Sequence, residues 1–264
     1  MIFETHAHYD EEEFDPDREE LLSALRNHNV GKIINVGTTV KTSKKSIEYS
    51  KIYDFIYAAV GIHPEFAEEY EESDLSTISK LADNDKVVGI GEIGLDYHYS
   101  KDPILREKQI YLFEKQIEMA ILKKLPIIIH SRDAAKDTYE IMSKEAEKGL
   151  MGVLHCYSYS EEQAVEYVRM GYYIGIGGAI TFKNASKKVE MVRRLPIESI
   201  LLETDCPYMA PEPVRGTRNY SGNLVYVAQK IADIKGMPLN AVIEQTEKNA
   251  EKIFLKNKNF KCNN

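Results

Sequence analysis

The chain has 264 residues, 43% hydrophobic and 29% charged, the balance of a folded globular protein and not of a disordered one. Its 34 basic and 42 acidic residues leave a formal charge of −8. That excludes the broadly basic surface that grips long duplex DNA, so a phosphate-rich substrate has to be drawn by a local positive site. The three cysteines, Cys156, Cys206 and Cys262, are odd in number and form no CxxC pair, which argues against a disulfide framework and for a reducing compartment. Met1-Ile2-Phe3-Glu4-Thr5-His6 lacks the basic-then-apolar pattern of a signal peptide. No apolar run reaches the ~18 residues of a membrane span. A cytoplasmic location without membrane attachment is expected, and no obligatory protein partner is evident.

In chain order the short apolar, β-branched runs are Ile2–His6, Lys32–Gly37, Phe55–Gly61, Val87–Glu92, Pro126–His130, Gly152–His155, Tyr172–Gly177 and Ile200–Asp205. Each has the length and composition of a buried strand. Helical spacing fills the gaps. Asp102-Pro103 reads as an N-cap with proline in the first turn, ahead of a stripe at Ile110, Phe113, Ile117, Ala120 and Ile121. Leu224, Val227, Ala228 and Ile231 form another stripe, which Gly236 ends. Leu239, Val242, Ile243, Ala250, Ile253 and Phe254 indicate a final helix. The acidic runs Asp10–Glu20 and Glu65–Asp74 read as solvated loops or helix faces, and the polar tail Lys256–Asn264 as frayed. Strand–helix alternation implies parallel strands joined by crossovers. Eight repeats over roughly 250 residues fit one closed (β/α)8 TIM barrel, a single domain over 1–264. An open doubly wound sheet is the alternative, although no GxGxxG or GxxxxGK[ST] loop supports it.

His6 and His8 fall at the end of the first run, Glu92 at the end of the fourth, His130 of the fifth, His155 of the sixth and Asp205 of the eighth. In a parallel barrel those C-terminal ends share one face, where such folds place their active sites. His6 and His8 are two apart, so both side chains point the same way on a strand. Cys156 and Cys206 each follow such a residue by one and are expected to point away as packing residues. Buried carboxylates and imidazoles are costly without a partner, and divalent cations supply it. Four histidines and two carboxylates exceed one tetrahedral ion but divide between two. His6, His8, Glu92 and Asp205 would hold one, and Glu92, His130 and His155 the other, with positions left for water and substrate.

Six ordered stretches carry a family resemblance: Thr5-His6-Ala7-His8, Gly61-Ile62-His63-Pro64, Gly91-Glu92-Ile93-Gly94-Leu95-Asp96-Tyr97, Ile129-His130-Ser131-Arg132-Asp133-Ala134, Leu154-His155-Cys156-Tyr157-Ser158 and Glu203-Thr204-Asp205-Cys206-Pro207-Tyr208. From His6 to about Phe254 the chain resembles the TatD family of metal-dependent deoxyribonucleases, within the amidohydrolase-like barrels. The resemblance implies hydrolysis of DNA phosphodiester bonds, typically trimming single strands from the 3′ end, with RNA a further possible substrate. The ions, Mg, Mn or Zn, would lower the pKa of a bound water so that a hydroxide attacks phosphorus. Asp205 is the candidate proton acceptor and Glu92 the bridge. An ester or amide hydrolase such as a D-aminoacyl-tRNA deacylase is the alternative, and an inert metal- or nucleic-acid-binding protein a third reading.

His63, Arg132, Arg215 and Arg218 are candidate substrate contacts, the arginines through paired hydrogen bonds to phosphate. Glu203, two before Asp205, is another, or a ligand or orienting group. Asp96, Tyr97 and His98, placed in the loop after the fourth strand, are candidates for substrate contact or for ordinary loop capping. Ser158-Tyr159-Ser160 and Arg218-Asn219-Tyr220-Ser221-Gly222 depart from the family pattern in loops beside the site, with substrate preference at stake.

Overall fold

The computed structural model describes residues 1–98 and 100–256. Strands and helices alternate: β1 (Ile2–Ala7), α1 (Arg18–Ala24), β2 (Val30–Val36), α2 (Val40–Ile52), β3 (Ile56–Val60), α3 (Glu72–Leu81), β4 (Val87–Asp96), α4 (Pro103–Lys123), β5 (Ile127–Arg132), α5 (Ala135–Ala146), β6 (Gly152–Leu154), α6 (Glu161–Arg169), β7 (Tyr173–Ile176), α7 (Ser186–Arg194), β8 (Ile200–Leu202), α8 (Leu224–Lys235) and α9 (Leu239–Ala250). The strands lie side by side in sequence order, each parallel to the next. This is the nearly closed (β/α)8 barrel, not the open sheet. No described helix is long and apolar enough to cross a membrane.

The ladder stops between β8 and β1, and other bonds close the seam. Ala7 and Cys206 form an isolated parallel bridge. The Asp205 N–H donates to the His6 carbonyl at 3.0 Å and the His8 N–H to the Cys206 carbonyl at 2.9 Å. The Thr5 hydroxyl donates to the Leu202 carbonyl at 2.9 Å. β8 thus ends at Leu202, short of the expected Asp205. Asp205 has φ 59°, a left-handed conformation that no regular strand accommodates.

Other boundaries also move. β4 continues to Asp96, so Asp96 lies on a strand and not in a loop. It does so because Gly94, at φ +146°, leaves β5 room: a Cβ there would fall 1.9 Å from the His130 carbonyl oxygen. β3 ends at Val60, and His63 instead caps the turn Pro64–Phe66. α4 starts as expected, with the Asp102 carboxylate accepting from the Ile104 N–H at 2.9 Å. Its stripe is buried at Phe113, Ile117 and Ala120, while Ile121 faces solvent. Gly236 ends α8 at φ 63°. The last apolar residues, Ile253 and Phe254, fall in a π-helical turn after α9. The acidic side chains of those runs are mostly exposed, apart from Asp10, which is buried and accepts from Asn35 Nδ2 at 2.8 Å. Apart from Lys256, the tail expected to fray lies outside the described residues, as does Cys262.

Two apolar shells follow from the strand alternation. Ile90, Ile93, Leu95, Ile127, Ile129 and Leu154 face the helices. Phe3, Ile34, Ala59, Val88, Ile128, Val153, Tyr173 and Leu201, one from each strand, fill the barrel, and Ile253 and Phe254 pack beneath them. Counting up from that inner layer in twos reaches Glu92 from Val88, His130 from Ile128, His155 from Val153 and Glu203 from Leu201. The core therefore sets which side chains enter the mouth.

Candidate metal centre

A cavity of about 740 Å³ opens at the C-terminal rim, lined in part by His8, His63, Glu92, His130, His155 and Asp205. His6 lies beneath it, fully buried. Its Nε2 is 3.0 Å from His8 Nε2 and 3.3 Å from Glu92 Oε2. Asp205 Oδ1 is 3.5 Å from His8 Nε2 and 3.6 Å from His155 Nε2. Glu92 Oε1 is 2.9 Å from His130 Nδ1, 3.7 Å from His63 Nε2 and 3.9 Å from His155 Nε2. Glu92 is thus the carboxylate that all four strand-end histidines surround. His6, His8 and Asp205 offer donor atoms within 4.8 Å of one another, and so do His63, Glu92 and His130.

The surroundings preset the imidazoles. His8 Nδ1 is 2.9 Å from the Val36 carbonyl and so donates to it, which leaves Nε2 as the ring atom that faces His6. His155 Nδ1 lies 3.1 Å from Glu203 Oε2, which directs its Nε2 into the site. His63 is the reverse case. Its Nδ1 accepts from the Glu65 N–H at 3.2 Å, so the neutral ring carries its proton on Nε2 and offers a donor. Burial pushes its pKa down to about 3, only partly offset by Glu92, so it stays neutral.

The charges show what the cluster lacks. Burial opposes protonation of His8, yet Asp205 and Glu92 hold it at about 9. His130, whose partial burial opposes protonation but which is bonded to Asp96 and Glu92, also rises to about 9. His155, buried against Glu203 and Asp205, rises to about 10. Burial would raise Glu92, but the imidazoles His6, His63 and His130 hold it well below the ordinary carboxylate range. Asp205 is likewise lowered, burial being outweighed by His155 and His8. Without a cation these carboxylates stay ionised only by protonating their ligand-type neighbours. The facing His6 and His8 nitrogens and the buried, unpartnered His6 Nδ1 belong to the same picture. The donor set fits divalent cations, which suit mixed imidazole and carboxylate ligands.

A further ring of groups holds these residues in place, and sequence reasoning missed most of it. Glu203 Oε1 also accepts from the Cys156 N–H at 2.6 Å. A Cβ on Gly175 of β7 would lie 2.2 Å from the Glu203 carboxylate, so glycine there makes its space. Glu4, fully buried, accepts from the N–H groups of His6 (3.1 Å) and Thr204 (2.9 Å) and from the Thr204 hydroxyl (2.6 Å). Burial raises its pKa to about 7 despite those bonds. Glu4 and Glu203 thereby fix the 203–206 segment at the barrel seam.

The remaining candidates divide. Arg132 lines the cavity. Arg218 does not: its guanidinium takes both Asp17 oxygens at 2.7 and 2.6 Å. Arg215 lies over the Phe182 ring, 4.2 Å from its centroid, and is also outside the lining. Glu203 is 1% exposed and meets His155 Nδ1, so here it supports a site residue. Tyr97 bonds Asp137 at 2.8 Å and His98 bonds Asp133 at 2.8 Å, as loop braces do. Cys206 packs as expected, fully buried. Cys156 does not point away: φ 45° interrupts the alternation after β6 and turns it into the cavity wall. Of the two variant loops, Ser158 lines the cavity, while Tyr159 hydroxyl meets Ser131 at 3.0 Å. Asn219 donates to the Tyr208 carbonyl at 2.8 Å, and Ser221 meets the Tyr9 hydroxyl at 2.8 Å, so that loop props the site from behind.

The model of the TatD related DNase family matches residues 3–255. The chain is 42% identical over 254 residues to the uncharacterized metal-dependent hydrolase YabD of Bacillus subtilis, covering 96% of this chain and 99% of that one. It is 30% identical over 257 residues to the uncharacterized metal-dependent hydrolase YcfH of Escherichia coli, covering 96% of each. The crystal structure of YjjV, a TatD homologue from Escherichia coli, superposes with a TM-score of 0.89 at 31% identity, over 96% of this chain and 97% of that one.

Proposed function

The chain belongs to the TatD related DNase family of metal-dependent hydrolases, and from that premise we propose that it trims single-stranded DNA from the 3′ end with two divalent ions, Mg, Mn or Zn. The observation that carries the two-ion reading is the sharing of Glu92: one carboxylate lies among imidazoles from β1, β5 and β6. His6, His8, Glu92 and Asp205 would hold one ion, and Glu92, His130 and His155 the other. The ions would supply Lewis acidity, lowering the pKa of water and stabilising charge on the phosphoryl oxygens.

The chain's own groups do the rest. Asp205 is held ionised and lines the cavity, so its carboxylate takes the proton of the attacking water. His63 presents Nε2–H to a phosphate oxygen, and Asp96, 3.0 Å from His130 Nε2, orients that ring. Arg132 adds positive charge at the β5 edge. With the ions bound, this mouth is positive in a chain of net charge −8, so it attracts phosphate over a short range.

The test combines elemental analysis with digestion of 3′-labelled single-stranded DNA, with and without chelator. About two equivalents of metal and chelator-sensitive release of labelled nucleotide are expected. Release of an amino acid from an aminoacyl ester with no nucleotide released would overturn the reading.

A further inference from the structure

One cation in the cavity wall is accounted for neither by the proposed ion ligands nor by the motifs. Lys188 stands in the first turn of α7 and faces the same space as His155, Cys156 and Ser158. Its Nζ donates to the Tyr157 carbonyl at 2.5 Å, which fixes the ammonium beside the loop that follows His155. Tyr157 takes one of three N–H donors, so two are left over.

Helix stability does not explain this placement. A positive side chain in the first turn opposes the helix dipole, and α7 has no acidic residue there and no side-chain N-cap. Nor does a salt bridge: among the described residues no carboxylate pairs with Nζ, and Glu203 acts on it only at longer range. Partial burial even pulls its pKa below the usual lysine value. Propping the Tyr157 carbonyl would need only a neutral donor. A half-buried ammonium whose remaining N–H groups face a cavity is a site for an incoming anion.

We infer that Lys188 is an anion-binding residue of the cavity and receives a non-bridging phosphate oxygen of the substrate strand. The choice of anion rests on the phosphodiesterase reading above. Lys188→Gln isolates the charge, because the amide still donates to Tyr157, and Lys188→Arg restores it. With metal-loaded protein and a single-stranded oligonucleotide, Lys188→Gln should raise KM about tenfold, one charge-assisted hydrogen bond. Its kcat and metal content should stay near those of the parent. The slope of log kcat/KM against log salt should fall by ~0.7, one phosphate contact, and Lys188→Arg should recover most of both.

Calorimetric titration of dTMP into the same samples separates the two readings. If the parent hydrolyses no DNA yet Lys188→Gln weakens dTMP binding, the phosphodiesterase reading falls and the anion site stands. If the parent hydrolyses DNA while Lys188→Gln keeps its KM, salt slope and dTMP affinity, the anion site falls alone. Loss of metal or of the thermal transition in Lys188→Gln, uncorrected by Lys188→Arg, would also overturn it, by making the residue structural.

Discussion

The two ends of the barrel are built from the same strands and could hardly differ more. At the N-terminal end Phe3, Val88, Ile128, Val153, Tyr173 and Leu201 meet Ile253 and Phe254 in a sealed apolar layer. Two or four residues further along four of those strands stand Glu92, His155 and Glu203, buried polar groups, and the partly buried His130. The lower end gains free energy from removing hydrocarbon from water. The upper end holds carboxylates and imidazoles that burial disfavours until cations compensate them. Stability is therefore concentrated below and chemistry above.

The largest effects should separate along that line. Glu92→Gln removes the shared carboxylate, and DNA hydrolysis should fall by at least about a thousandfold, several kcal/mol of charge stabilisation. Elemental analysis should show bound metal lost while the unfolding midpoint stays near that of the parent. Asp205→Asn should reduce kcat on a similar scale with KM little changed. Phe254→Ala should do the opposite, costing ~3–5 kcal/mol of stability, read by denaturant unfolding, with kcat retained at low temperature. A Glu92→Gln protein that unfolds, or a Phe254→Ala protein that keeps its stability but not its turnover, would break the division of labour.

Intermediate effects belong to the groups that join the two ends. Glu203→Gln leaves His155 Nδ1 without its charged partner, and activity should drop ~10–100-fold, the scale of losing a partner behind a metal ligand. Gly175→Ala should act through the same carboxylate, since the new methyl would occupy its place 2.2 Å away. Combined, the two changes should cost less than the sum of their separate effects. Full additivity would mean that Gly175 acts elsewhere.

Much of this arrangement is legible in the sequence, because alternation in a strand has a period of two. His6 and His8 declare a shared direction, and a carboxylate or imidazole at the end of an otherwise apolar run declares the mouth. What alternation cannot reveal is where a strand stops being a strand. Cys156 has positive φ, so counting by twos fails there and it joins the wall; Asp205, also at positive φ, reaches His8 from outside β8. Nor does local pattern reveal partners met only after the barrel closes. Glu4 and Thr204 are 200 residues apart, and Glu203 finds His155 across the opening left by Gly175. Loop arginines are the weakest signal, since a guanidinium serves phosphate and carboxylate equally well. Arg218 met Asp17, 201 residues away.

That last pair gives the smallest expected effect and a check on the boundary of the site. Arg218 and Asp17 are partly exposed, with side chains 31% and 40% accessible, so water and salt screen their attraction. Arg218→Ala should cost under ~1 kcal/mol and leave kcat and KM unchanged. The hydrogen bonds from Arg218 hold the Asp17 pKa below its ordinary 3.8. A lowered folded-state pKa contributes stability in full above the unfolded value and loses it as pH falls through the folded one. The difference between parent and Arg218→Ala should therefore be flat at neutral pH and shrink only below about pH 4, as Asp17 takes up its proton. A stability gap that widens on acidification would contradict the pairing. A large rise in KM would place Arg218 back among the substrate contacts, and the division between mouth and scaffold would have to be redrawn there.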